Sequence, residues 1–379
     1  MPNDPTADQR FFQSTTRDFL ADTVPIGTVR ALGESGVGFD RDWWRRACEL
    51  GWTAMFVPES LGGGTVSGRA MTELALVADE LGRACAPGPF ITTNAVLAGL
   101  VPVADRLSET VTAVQSGETV VAWAVYEPSR GFEALAGRAT GTRAEAEGDG
   151  YRLTGVKDRV EAGDQADLFL VTAQSSDGPV QLLVRADAPG VTVTPAWTLD
   201  LVRRTARVSF DDVAVSADAV VNVGAEAAEA IRTQALTAAA LTAAEVVGAT
   251  DRPFDATLAW LSDRYTFGRP LSSYQALKHR MADNKTWLEA CRATATAAAA
   301  AWDDEASTAA ETISIAKSYV GAKAPVIAQD CVQLHGGIGV TWEHDLHLYL
   351  RRITLGSALY GTPEEHRRHI ADLLDTAAA

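Results

Sequence analysis

Two changes in hydrophobic period restrict this 379-residue chain to helix, then sheet, then helix. In the first stretch apolar residues recur at helical spacing. Phe11, Phe12, Phe19 and Leu20 do so, then Trp43, Trp44, Cys48 and Leu50 ahead of Gly51, then Leu74, Leu76, Val77 and Leu81 on a helix expected over 69–83. Between these elements, Val57-Pro58-Glu59-Ser60-Leu61-Gly62-Gly63-Gly64 reads as a loop, because Pro and Gly hold it out of a helix. Near Thr119 the period falls from 3.6 to 2. Short β-rich runs at 120–125, 151–154, 168–171, 180–184 and 206–210, separated by Gly, Asp and Pro, predict a small sandwich or barrel. From about Asn222 long Ala- and Leu-rich segments with few breakers predict a helix bundle. The expected domains are 1–118, 119–221 and 222–379.

Composition narrows the function classes. A hydrophobic fraction of 47% with 22% charged residues describes a folded chain, long enough for two or three packed units. The net charge of −16, with a pI near 4.8, argues against general affinity for nucleic acid or an anionic membrane. Met1-Pro2-Asn3-Asp4 does not open a signal peptide, and the expected longest apolar stretch, 235–248, is too short to span a bilayer; a cytoplasmic protein is expected. Cys48, Cys85, Cys291 and Cys331 are scattered without paired spacing and read as buried free thiols. His335, His344 and His347 lack an accompanying carboxylate–cysteine set, so no metal is expected.

The third region carries the most specific motifs. Arg264-Tyr265-Thr266-Phe267-Gly268-Arg269-Pro270-Leu271 precedes Tyr274-Gln275 and His279. Gln333-Leu334-His335-Gly336-Gly337-Ile338-Gly339 and Tyr360-Gly361-Thr362-Pro363-Glu364 follow. These resemble the R-x-T-F-G-x-P-L…[FY]-Q, Q-x-x-G-G-x-G and terminal E-G-T-x-E segments of acyl-CoA dehydrogenases, in the family's order. Weaker echoes reach Leu50-Gly51-Trp52, Val57-Pro58-Glu59, Glu127-Pro128, Pro189-Gly190-Val191 and Phe210-Asp211-Asp212-Val213, so the resemblance covers nearly the whole chain. It implies a mostly helical fold with an N-terminal helical domain, a middle β-barrel and a C-terminal four-helix bundle that also makes the oligomer.

A dinucleotide pyrophosphate needs a cation and closely approaching backbone N–H groups. Arg264 offers the first and Gly336-Gly337 permit the second, although alone Arg264 reads equally as a helix-end arginine and the glycines as a turn. The resemblance implies that Arg264, Thr266, Phe267, Gly268, Gln275, Gln333, Gly336, Gly337 and Gly339 bind FAD across a subunit interface. It also places Thr362 and Glu364 near the cofactor. Thr362 as N-cap with Glu365 three residues on equally suits a capping box.

Desaturation of an acyl-CoA needs a carboxylate to take the α-proton while the flavin accepts a hydride. At the family's usual glutamate position this chain has Tyr360. At the alternative position, counted back from Arg264, it has Ala238, flanked by Thr237 and Ala239. The family's flavin-facing Trp-[IV]-[TS] segment reads Arg159-Val160-Glu161, its T-E-P reads Tyr126-Glu127-Pro128 and its G-S-D reads Gly131-Phe132-Glu133. This pattern resembles the base-deficient chain of actinobacterial heterotetramers, which completes the FAD site of a paralogous subunit. The resemblance further implies an acyl-CoA substrate and electron-transfer flavoprotein as acceptor. Two alternatives stay open: a self-sufficient flavoenzyme, oxidase or monooxygenase, with another base such as Glu245 or Tyr360, and a non-catalytic binding or regulatory subunit.

Overall fold

The computed structural model describes residues 4–137 and 141–378. Helices come first: α1 (Ala7–Thr23), α2 (Ile26–Ser35), α3 (Arg41–Glu49), α4 (Ala70–Arg83), α5 (Phe90–Leu100) and α6 (Ala104–Gln115). Local signals set their starts. Thr6 and Gln9 close a reciprocal capping box on α1, and the Asp40 carboxylate accepts from the Trp43 N–H at the head of α3. Between α3 and α4, Pro58 and Gly62 bound a single 3₁₀ turn, and Gly62 takes the left-handed φ of 83° that this turn needs.

The middle of the chain holds β1 (Val121–Ala124), the short helix α7 (Phe132–Leu135), then β2 (Arg143–Glu147), β3 (Gly150–Glu161), β4 (Leu168–Ser175), β5 (Gly178–Arg185), β6 (Val191–Ala196), β7 (Thr205–Val215) and β8 (Val220–Val223). They form one eight-stranded sheet in the order β6-β7-β3-β2-β4-β5-β8, with β1 parallel to β4. Its buried face gathers Leu153, Phe169, Val171, Val180, Leu182, Val208, Phe210 and Val213, with Phe169 and Phe210 packed edge to face. The β3–β7 ladder slips between Lys157 and Val160, and Arg159 takes a φ of 49° within that bulge.

The remainder is again helical: α8 (Gly224–Asp263), a hairpin of β9 (Tyr265–Thr266) and β10 (Arg269–Pro270), α9 (Gln275–Asp303), α10 (Ala309–His335), α11 (Leu346–Ala358) and α12 (Pro363–Ala378). The expected order of helical, β and helical segments is therefore present. The described residues gather into two compact units. One holds the chain up to Ala31, Met71–Ala86 and Ala239 onward; the other holds Leu32–Ala70 and Pro87–Ala238. In the first, Phe254, Leu261, Met281, Leu288, Ile327, Cys331 and Leu346 form a core. In the second, Trp43, Trp52 and Phe90 meet edge to face at 6.0 and 6.3 Å. All four cysteines are buried free thiols.

The expectation that 235–248 is the longest apolar stretch needs correction. Phe90–Gln115 is long and apolar enough to cross a membrane by length and composition, but 72% of its apolar window is buried inside the protein. Because α5 is covered on every side, it shows no polar face in the sequence.

Candidate functional site

The Arg264 motif folds into a tight hairpin. Thr266 pairs with Arg269 across a two-residue turn in which Phe267 and Gly268 both take positive φ, 52° and 78°. Such a primed turn matches strand twist but is unusual with Phe at its first position. The hairpin is braced from α9's approach, where the Tyr274 hydroxyl donates to the Thr266 carbonyl at 2.9 Å and the Arg269 guanidinium lies 3.9 Å above the Tyr274 ring. Phe267 stands 93% exposed. Arg264 is exposed and has no carboxylate partner among the described residues. Its guanidinium lies 5.9 Å from the Trp260 ring centre.

The glycine motif lies at the end of α10. Gly336 breaks that helix with φ 66° and ψ −141°, a conformation that L side chains rarely adopt. Gly336 and Gly337 are exposed, and a Cβ on either would meet nothing within 4 Å, so space lies open above this backbone. Gly339 differs. It is buried, and a Cβ there would meet the Val332 carbonyl oxygen at 2.5 Å, so it packs inside the fold and does not share that open surface. A ring stack joins the two motifs: Trp260 lies on His335 at 5.2 Å and 17°, and His335 meets His344 edge on at 4.8 Å. Burial holds His335 below the ordinary histidine range. His347 stacks instead on Trp342, at 4.4 Å. Gln275 and Gln333 are exposed on α9 and α10.

Tyr360, Thr362 and Glu364 form a second group. It is held by Lys317, which lies 18 residues before His335 on α10, roughly 27 Å away at 1.5 Å per residue. Tyr360 is only 4% exposed and sits at φ 55°; its carbonyl accepts from His366 Nε2 at 2.9 Å. Thr362 and Glu365 close the capping box of α12: the Thr362 N–H donates to the Glu365 carboxylate at 2.8 Å and the Glu365 N–H to Thr362 Oγ1 at 3.3 Å. Glu364 is exposed and pairs with Arg367. These contacts fix the start of α12.

The carboxylate held in reserve as an alternative base is already engaged. Glu245, 4% exposed, lies 3.0 Å from the guanidinium of Arg352, itself 1% exposed and also donating to the Ala86 and Cys85 carbonyls. Thr237, Ala238 and Ala239 are buried and offer no acid.

The β unit ties up its own charged residues. Lys157 is fully buried and donates to Glu127 at 3.0 Å and to the Val125 carbonyl at 3.2 Å; burial pushes its ammonium down to about 8 against the opposing pull of Glu127. Burial pushes the Glu127 carboxyl up, but Lys157 and the N–H groups of Gly141 and Thr142 leave it below the usual range. Arg159, swung out by the bulge, lies 4.4 Å over the Tyr126 ring and donates to the Glu127 and Arg130 carbonyls. Glu161 pairs with buried Arg203 at 3.0 Å. Among the described residues no three metal-binding side chains gather.

Sequence reasoning missed Lys317, Trp260 and Arg352. Lys317 had left a signal: it is the sole charged residue of the segment Ile313–Val320 of α10.

Comparison with known proteins gives these positions a family. The acyl-CoA dehydrogenase N-terminal domain profile matches residues 6–109 and the C-terminal domain profile residues 226–374. The chain is 31% identical over 368 residues to the acyl-CoA dehydrogenase IpdE2 of Mycolicibacterium smegmatis, covering 94% of this chain and 98% of that one. It is 30% identical over 363 residues to FadE27 of Mycobacterium tuberculosis, covering 92% of each. Among solved structures, the ChsE4-ChsE5 complex from Mycobacterium tuberculosis superposes with a TM-score of 0.87 at 25% identity, over 99% of both chains. The chain belongs to the acyl-CoA dehydrogenase family of FAD-dependent oxidoreductases that act on CH–CH groups.

Proposed function

We propose that this chain is the base-deficient subunit of a two-chain, FAD-linked acyl-CoA dehydrogenase, and that it completes the cofactor site of a paralogous partner carrying the glutamate. The observation that carries this reading is the fate of the carboxylates. Tyr360 occupies the base position as a buried side chain, and Glu245 is locked to Arg352, so neither offers an open carboxylate to a substrate α-carbon. The cofactor-facing chemistry is kept. An exposed Arg264 without a carboxylate partner among the described residues, beside open backbone at Gly336-Gly337, fits a bridging pyrophosphate in charge and in room.

When bound, FAD supplies the hydride acceptor for α,β-desaturation of an acyl-CoA thioester. Arg264 neutralises phosphate charge, the glycine backbone admits close approach, and exposed Gln275 and Gln333 offer amide groups to the nucleotide. Thr362 and Glu364 belong to the second contact surface. In the β unit, Arg159 and Glu161 are satisfied by internal partners, which leaves the ring-side contacts to the other chain. The similarity to a complex of two named chains, ChsE4 and ChsE5, supports the two-chain form. Electron-transfer flavoprotein is the expected acceptor, and the setting is cytoplasmic.

Co-expression with a paralogous chain that bears the glutamate tests the reading, through flavin-to-chain stoichiometry and desaturase turnover of the purified assembly. The expected result is an active complex with one flavin for each pair of unlike chains. Full flavin loading and turnover by this chain alone would point to a self-sufficient enzyme and end the proposal.

A further inference from the structure

Beneath the turn at 360–362 lies a lysine that no motif assigns. Lys317 is 1% exposed and donates to the Gly361 carbonyl at 2.8 Å and to the Ser357 carbonyl at 3.2 Å. Ser314, Lys317 and Gly321 recur at helical spacing on α10 and meet the next segments in turn: Ser314 Oγ reaches His369 at 3.1 Å, and a Cβ on Gly321 would touch the Pro363 ring at 3.0 Å. The turn needs such support. Tyr360 and Gly361 adopt consecutive positive φ values of 55° and 104°, the first in a region costly for a side chain as large as Tyr. Its two carbonyls are held from two helices, Tyr360 O by His366 on α12 and Gly361 O by Lys317 on α10. A methionine would fill the volume of Lys317 without desolvating an ammonium, so packing alone does not explain a lysine here.

We propose that Lys317 is a positioning residue for the flavin site: its two bonds to the Ser357 and Gly361 carbonyls fix the turn at 360–362 and so set where the capped start of α12, with Thr362 held by Glu365, lies against the cofactor. This rests on the reading above that Thr362 lies beside FAD. Burial pushes the ammonium down to about 7, with Glu365 pulling it up, and a neutral amine still donates to both carbonyls. The neighbouring His366, pushed down to about 3 by burial and by Lys317, stays neutral and keeps its own bond to the turn.

The test uses the assembled two-chain protein and titration with FAD, at a temperature where every variant is folded. Lys317→Met should weaken flavin binding on the order of tenfold, the scale of a lost buried hydrogen-bond pair, and Lys317→Gln, with one amide donor left, should fall between. Sedimentation and circular dichroism should match the parent. Gly361→Ala should also weaken binding, and the double variant Lys317→Met with Gly361→Ala should lose no more than the worse single, because both act through one turn. Wild-type flavin affinity in the Lys317 variants with only a lower Tm overturns the proposal and leaves a structural lysine. If Lys317→Met does not assemble, Lys317→Gln and Gly361→Ala decide in the same way. Arg264→Ala separates the two claims: if it keeps flavin, the cofactor reading has failed, and if it loses flavin while the Lys317 variants keep theirs, only the positioning role has.

Discussion

At Arg352 a charge is taken wholly out of water, and its partner carboxylate is the one acid that could otherwise have been read as a catalytic base. The guanidinium is satisfied by Glu245 and by the carbonyls of Cys85 and Ala86. Glu245→Gln removes the countercharge and leaves the cation buried, a loss of about 3–5 kcal/mol. A large fall in Tm, with turnover per folded complex unchanged, is therefore expected; turnover lost at unchanged Tm would restore Glu245 as a base. Tyr360 gives the complementary measurement. If it fills the space of the missing glutamate, Tyr360→Phe should leave desaturation within about twofold, whereas removal of a positioned proton acceptor costs on the order of a hundredfold. Arg264→Ala should reduce flavin affinity by on the order of tenfold or more, the scale of a charge-assisted contact, read by FAD titration of the assembly. Arg264, Tyr360 and the Gly336-Gly337 pair could be named as candidates from the sequence because each motif is contiguous. The partners that decide their chemistry were not: Lys317 reaches a carbonyl 44 residues away and Arg352 a carboxylate 107 residues away, separations that only packing reveals.

At the level of elements, legibility followed how much of a segment's pattern is its own. Helix α4 shows its apolar face and was placed within a residue, while β2, Arg-Ala-Glu-Ala-Glu, has poor strand propensity and is held by its register with β3. The bulge that turns Arg159 onto Tyr126 belongs to the β3–β7 ladder and has no local signature. The α10–α12 layer carries its own pH signature. Lys317 falls from its ordinary 10.5 in the unfolded chain to about 7 when folded, so between those values the unfolded state binds more protons and stability rises with pH. Below about 7 both states are protonated and the contribution is flat. Lys157, lowered to about 8, adds a second rise that starts later. Denaturant unfolding of the parent between pH 7 and 8.5 should thus gain stability relative to Lys317→Met, by at most about 1.4 kcal/mol per pH unit for one proton. A difference between the two proteins that does not move with pH would mean that Lys317 keeps its proton throughout.

For the whole molecule, the exposed apolar side chains state what the net charge of −16 does not. Phe267 at 93%, Val340 at 76%, Tyr265 at 64% and Trp342 at 49% exposure lie on or just after the two segments that the Arg264–Trp260–His335 stack brings together. A hairpin braced by Tyr274 to display a phenylalanine in a left-handed turn is an expensive ornament for a free monomer, since burying that ring is worth about 1.5–3 kcal/mol. In the function proposed, a partner surface covers this ring and also completes the cofactor site, so assembly and flavin binding should fail together. Phe267→Asp tests this, because Phe267 is exposed and belongs to neither core cluster, and a short polar side chain tolerates the positive φ as well as Phe does. Its Tm should match the parent chain, while sedimentation of the co-expressed protein should show dissociation at concentrations at least tenfold above the parent's, with flavin lost in step. An intact, flavin-loaded oligomer from Phe267→Asp would place the interface elsewhere, and a flavin-loaded monomer from either protein would break the link between assembly and cofactor.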